Sequence, residues 1–211
     1  KPGMNILDIG ANIGYYAIME SMAIGPSGKV VAVEPVNSNI KMLNRNIDLN
    51  SIQNIDVLHG AVSSHTGTAK MFMSTRSNLH TFHSDGSAAN YLDPTPVDVP
   101  TFTLKDVIAV NTWPDLIRMD VEGHEVEILR QLGDLAESDG IYPSVIFETH
   151  LSRYTSDNDF IPVLNKLFDS GYKIVQAASS NQSGTEKITH LGYKGSQPFY
   201  SDFGMRVIFE N

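Results

Sequence analysis

A glycine turn between two acidic residues carries the most telling chemistry of this chain. Asp8-Ile9-Gly10-Ala11-Asn12-Ile13-Gly14 closes an apolar run of strand length, Met4 to Ile9, and opens a segment, Ile13 to Ala23, that reads as a helix. Such a strand, turn and helix place unpaired N–H groups at the strand's carboxyl end, and Gly10 and Gly14 allow unusual torsions and close approach of a ligand. A carboxylate-bearing ligand suits that helix end. Lys29 to Val33 forms the next strand, and Glu34 at its tip, followed by Pro35, is placed to accept two hydrogen bonds from a ribose diol. Asp8, two residues before Gly10, would welcome an ammonium and repel a diphosphate. Carboxylate, ammonium and ribose together describe S-adenosylmethionine. The competing reading is a nicotinamide or flavin nucleotide site, whose glycines are spaced G-x-G-x-x-G to seat a pyrophosphate. Here position 12 is Asn and the spacing is G-x-N-x-G. A glycine turn without any ligand is the bland alternative.

The elements that must position these groups alternate along the chain. Val36 to Asn50 carries Ile40, Leu43 and Ile47 at helical spacing, and Asn54 to His59 is a third strand closed by Gly60-Ala61. Repeated strand–helix–strand order implies a parallel sheet with helices on both faces and ligands beyond the strand carboxyl ends. From Gly67 to about residue 103 the pattern changes: Thr68 to Thr75 and Val97 to Thr103 read as β segments flanking a polar loop with Arg76, Ser77, Asn78, His80, His83 and Asp85. This is an insertion over the sheet. Strand Asp115 to Asp120, helix Gly123 to Leu132, strand Pro143 to Thr149 and helix Asp159 to Asp169 then resume the alternation. Tyr172 to Ala177 and Gly204 to Glu210 close the chain as strands, and no helix signal separates them, so they are expected to be antiparallel neighbours. Between them the Ser- and Gly-containing stretch 178–184 reads as a loop.

Length and composition bound the rest. The 211 residues suffice for one domain with a substantial core, and 41% hydrophobic content is ordinary for a globular protein. Lys1-Pro2-Gly3 runs almost directly into the first strand, so the chain is expected to be part of a longer polypeptide. A net charge of −9 with dispersed acids and no basic patch argues against nucleic acid as partner. No apolar run is long enough to span a bilayer and residues 1–211 contain no signal peptide, so a cytoplasmic location is expected. The absence of cysteine excludes disulfides, thiolate metal sites and a cysteine nucleophile.

Three motifs in order, Asp8-Ile9-Gly10-Ala11-Asn12-Ile13-Gly14, then Glu34-Pro35 with the helix end Leu43-Asn44-Arg45-Asn46-Ile47-Asp48-Leu49-Asn50, and Asp115-Leu116-Ile117-Arg118-Met119-Asp120-Val121-Glu122-Gly123-His124-Glu125, resemble the FkbM-type family of S-adenosylmethionine-dependent methyltransferases. The resemblance covers nearly the whole chain. It implies a Rossmann-like, doubly wound, seven-stranded and mostly parallel sheet with its last strand antiparallel, and O-methylation of a hydroxyl on a small molecule or glycan. It also implies that Asp8, Gly10, Asn12 and Gly14 hold the methionine part, that Glu34 holds the ribose and that Ala61 lies near adenine. Arg118 stands where such members often carry Lys; with Asp120 on the same strand face, it is expected to be a structural guanidinium needing a carboxylate partner.

Methyl transfer to oxygen is an in-line displacement, and alignment alone supplies about 7–11 kcal/mol of the barrier reduction. A positioned base adds about 10²–10⁴-fold. Asp120 and Glu122 follow the fourth strand, and Glu148 and His150 the fifth. In one mechanism His150 or His124 takes the hydroxyl proton while Asp120 or Glu148 orients it; in the other, which is not favoured, Asp120, Glu148 and His150 hold a divalent ion. Each has a bland reading as helix cap, first-turn acid or loop hydrogen-bonder. Glu125 points with Leu129 and Leu132 toward the sheet and needs a buried partner near the helix start. His80, His83 and Asp85 read as a solvated lid, Tyr15 and Tyr16 as core or lid packing, and Tyr193, Phe199 and Tyr200 only weakly as a pocket wall.

Overall fold

The structure is a computed structural model that describes residues 1–76, 79–83, 89–150, 153–179 and 205–210. Ser77, Asn78, Asp85, Tyr193, Phe199, Tyr200 and the 180–204 stretch lie outside the described residues. Ten strands and five α-helices are described: β1 (Asn5–Ile9), α1 (Tyr15–Ile24), β2 (Lys29–Glu34), α2 (Asn37–Leu49), β3 (Ile55–His59), β4 (Ala61–Val62), β5 (Gly67–Met71), β6 (Val97–Phe102), α3 (Leu104–Val110), β7 (Leu116–Met119), α4 (Glu125–Asp139), β8 (Ser144–Glu148), α5 (Phe160–Asp169), β9 (Lys173–Ser179) and β10 (Met205–Glu210).

The expected mostly parallel α/β sheet is present, in the order β3-β2-β1-β7-β8-β10-β9. Five of its seven strands, β3, β2, β1, β7 and β8, form a block of parallel pairs. The chain's last two strands extend the edge through antiparallel pairing, β10 against both β8 and β9. The order reverses between β1 and β7, so the loops leaving these two neighbours diverge and leave a crevice at their carboxyl ends. Alternation along β1 sends Ile6 and Asp8 toward α1, and Leu7 and Ile9 toward the opposite face. Ile6 packs with Ala17, Ile24 and Leu43, whereas Leu7 and Ile9 join Leu129, Leu132 and Leu164 in the larger core.

The insertion forms a small second sheet in the order β4-β6-β5, with β6 parallel to β4 and antiparallel to β5. The first expected β segment ends at Met71 as a regular strand, beyond which single bridges Phe72–Thr81 and Ser74–Leu92 continue it. Helix α3 was not anticipated from the pattern, being only seven residues long. Its start was written in Thr103-Leu104-Lys105-Asp106, for the Thr103 hydroxyl accepts from the Asp106 N–H. Helix α4 runs past the expected Leu132 to Asp139, where Gly140 ends it in the left-handed region at φ 67°. Gly10, at φ 81°, packs so that a β-carbon would collide with the Asp120 carbonyl. Gly10→Ala is therefore expected to destabilise the fold by at least about 1–3 kcal/mol, seen as a thermal midpoint lowered by several degrees; an unchanged midpoint would contradict the packing of these two loops.

Candidate active site

A cavity of about 330 Å³ opens at the crevice, walled by Gly10, Ala11 and Asn12 after β1, Glu34 and Pro35 after β2, Gly60 and Ala61 after β3, and Asp120, Val121 and Glu122 after β7. Met71, His80 and Phe82 of the insertion roof it. Helix α1 starts at Gly14, φ 87°, without any side-chain cap and without an acid in its first turn, which leaves its amino end to a ligand anion. Gly14 itself does not line the cavity; its missing side chain admits Leu43 of α2 beneath the turn.

Glu34 is 4% exposed and its carboxylate is fixed by the Asn12 N–H at 2.9 Å, the Val36 N–H at 2.9 Å and the Asn39 amide at 3.1 Å. Burial pushes its pKa up, and these hydrogen bonds oppose the rise. Asn12 sits in the left-handed region at φ 52°, and its buried side-chain oxygen accepts no hydrogen bond among the described residues.

Asp8 departs from expectation. It does not line the cavity: its side chain is fully buried behind the wall, paired at 3.0 Å with Arg118, its register partner across β1 and β7. The guanidinium also meets Asp120 at 3.3 Å and lies 4.1 Å over the Tyr16 ring, so the carboxylate partner expected for Arg118 is double. Arg118 itself lines the cavity.

Asp120, Glu122 and His150 converge, each offering one ligand atom within 4.8 Å of the others. Glu148 is not among them, which corrects its expected place. The strand ends at Glu148 and the chain turns, the His150 N–H donating to the Tyr154 hydroxyl at 3.1 Å, so strand alternation does not carry from Glu148 to His150. Glu122 takes the place expected of Glu148. It adopts φ 54°, uncommon for a side-chain-bearing residue, and its carbonyl accepts from Arg153 and, at 2.8 Å, from the Thr81 hydroxyl of the roof. Its carboxylate meets Arg153 at 3.2 Å and His150 Nε2 at 3.5 Å. These cations already face the carboxylates a metal would need, Arg118 at Asp120 and Arg153 at Glu122.

Glu125 supplies the buried partner that its helix position called for. It is wholly buried; Oε1 accepts from His150 Nδ1 at 2.8 Å and from the N–H groups of Val121 and Gly123 at 3.3 Å, while Oε2 accepts from the Tyr154 hydroxyl at 3.0 Å. The charges divide accordingly. Burial lowers the His150 pKa, but the hydrogen bond to Glu125 and the nearby acids outweigh it and raise it to about 9. Burial pushes Glu122 up to about 7, against His150 and Arg153. His124, on the cavity wall with Nε2 at 3.2 Å from the Ser63 hydroxyl, is held down to about 4 by burial and by neighbouring His83. His80, expected in a solvated lid, packs in the roof with Nδ1 accepting from the Ser74 N–H at 2.9 Å, and burial lowers its pKa. The sequence gives little sign of Arg153, Tyr154 and Glu20: no spacing marks the first two, and only the lone acid in an apolar helix hints at the third.

Known proteins align with this architecture. A family model described as the methyltransferase FkbM domain matches residues 8–174. Over 60 residues the chain is 32% identical to protein-L-isoaspartate O-methyltransferase of Methanothrix thermoacetophila, a stretch covering 28% of this chain and 29% of that protein. Among solved structures, the methyltransferase FkbM of Methylobacillus flagellatus superposes with TM-score 0.56 at 16% identity, over 97% of this chain and 43% of that one. Aeropyrum pernix fibrillarin, with natively bound S-adenosyl-L-methionine, gives 0.53 at 15% identity, over 100% and 67%. At these identities the superpositions speak for the fold. Among the described residues no helix is long and apolar enough to cross a membrane.

The Glu125–His150 contact has a measurable signature. The imidazolium's contribution to stability is fully present below the ordinary histidine value of 6.5 and is lost as pH climbs through about 9. In Glu125→Gln the His150 ring, followed by NMR, is expected to titrate well below the wild-type value and the alkaline loss of stability to flatten; an unshifted titration would refute the contact.

Proposed function

The chain belongs to the FkbM family of S-adenosylmethionine-dependent methyltransferases, and on that footing we propose that it methylates the oxygen of a hydroxyl group on a small molecule or glycan. The observation that carries the oxygen assignment is Glu122: a carboxylate on the cavity wall whose pKa of about 7 matches a general base working near neutrality. The isoaspartate enzyme's name adds support for oxygen, from its 60-residue stretch alone. The net charge of −9 supports an acceptor other than nucleic acid.

The cofactor supplies an electrophilic methyl on a sulfonium. In this reading the uncapped amino end of α1 receives its carboxylate, the turn at Asn12 borders the methionine part and Glu34 holds its ribose, while Ala61 borders the adenine. The donor set fits: a buried acceptor, an uncapped helix end and a turn that tolerates close backbone approach. Met71 and Phe82 exclude water from above. The acceptor hydroxyl sits between Asp120 and Glu122 and its proton passes to the Glu122 carboxylate. His150 is not the base, because with a pKa of about 9 it keeps its proton at neutrality. It holds Asp120 and Glu122 in place instead. His124, at about 4, stays neutral but is too weakly basic to keep a proton. No metal is needed for this route.

Calorimetry is expected to show S-adenosylmethionine and its demethylated product binding, with Glu34→Ala at least about 10–100-fold weaker; no binding of either ligand would end the proposal. With an alcohol acceptor, kcat should rise as pH passes about 7, as Glu122 deprotonates. Glu122→Gln should lower kcat by roughly 10²–10⁴-fold with cofactor affinity little changed, and a chelator should leave the rate as it was.

A further inference from the structure

The insertion that roofs the cavity carries a histidine whose hydrogen is fixed in place. Backbone hydrogen bonds of 2.8 and 3.1 Å join Phe72 and Thr81 in an antiparallel bridge, so Met73 stands opposite His80. Side chains alternate along such a segment: Thr81 turns its hydroxyl to the Glu122 carbonyl, while His80 and Phe82 on either side of it line the cavity. Met73 and Phe82 pack against the cluster of Val36, Ala61, Met71 and Val99, so this part of the roof lies over the tips of β2 and β3. His80 Nδ1 accepts from the Ser74 N–H at 2.9 Å. A backbone amide only donates, so that nitrogen keeps its lone pair and the neutral ring carries its hydrogen on Nε2. Burial lowers the His80 pKa, which keeps the ring neutral near pH 7. Pro35, Gly60, Ala61, Val62, Met71 and Phe82, which wall this end of the cavity, bring no polar side chain.

We propose that His80 reads the base of the cofactor, donating its Nε2–H to a ring nitrogen of adenine. The inference rests on the cofactor reading above, in which Ala61 borders the adenine. Apolar walls accept any flat base of the right size and cannot tell one edge from another. A donor of fixed position can, because it is satisfied only where the base presents a lone pair and is left without a partner elsewhere. The segment that carries His80 is held at Ser74 and at Thr81, so the donor is placed before the ligand arrives. The insertion thus serves the cofactor through His80 on one face and the loop of Glu122 through Thr81 on the other.

The test is calorimetry with the demethylated product and with three analogues of it, each carrying C–H in place of one accepting ring nitrogen of adenine. In wild type at least one analogue is expected to bind about 5–10-fold more weakly than the product itself. His80→Asn keeps a side-chain oxygen for the Ser74 N–H but has no donor that reaches as far as Nε2. In that variant the product should weaken to the level of the analogue, and the gap between the two should close. NMR of wild type needs no variant: the ring nitrogen shifts should report Nε2–H, and its proton should shift downfield with the product but not with the weakened analogue. Equal affinity of the product and all three analogues in wild type, gaps that all persist in His80→Asn, or a ring protonated on Nδ1 overturns the inference while leaving the cofactor reading intact. Absence of product binding overturns the two together.

Discussion

The site depends on one buried carboxylate. Glu125, at the start of α4, gathers the loop after β7 through two backbone N–H groups and the segment after β8 through His150 and Tyr154. These segments leave neighbouring parallel strands and would otherwise be free to diverge. A carboxylate without water must be surrounded by donors, and the four that it recruits bring Asp120, Glu122 and His150 to one spot. Breaking such a buried pair costs about 3–5 kcal/mol, enough to enforce the arrangement. The left-handed turn at Glu122 is affordable only inside that clamp, with Arg153 and Thr81 fastened to its carbonyl.

On the other side of the crevice the same logic runs through Glu34. Its three hydrogen bonds tie the glycine turn after β1 to the start of α2, so the two strand tips that would touch a nucleoside share a single anchor. The register of β1 on β7 then sets Asp8 opposite Arg118, and the sheet itself links the nucleoside side to the reacting side. Acids predominate throughout, and what separates their roles is burial and the number of cations each can reach.

Much of this was legible in sequence because the signals are local. The β1–α1–β2 unit announces itself by an apolar run, two glycines and an acid at the next strand tip, and the antiparallel close followed from the missing helix between the final strands. Glu125 was legible through helical spacing, which set it among Leu129 and Leu132 on the buried face. What escaped depends on distant contacts. Glu148 and Glu122 are equally good candidates by position, and only the turn after β8 excludes the first. Asp8 looked like a ligand contact, yet strand alternation and the Arg118 register bury it. Arg153 and Tyr154 follow no period, so nothing marked them before the chain was folded. The seven-residue α3 was too short to show periodicity, although its cap residue was visible.

The hydroxyl of Thr81 belongs to the insertion, yet it holds the backbone of the residue assigned to take the proton. With Glu122 as the proposed base, substrate shape and base geometry are therefore not independent modules in this molecule. An evolutionary exchange of the roof for one suited to a different acceptor would also re-aim Glu122 unless a hydroxyl were kept at that point. Diversification here should proceed by graded substitution around a retained threonine, and wholesale loop grafting would carry a catalytic penalty unrelated to how well the new roof fits its guest.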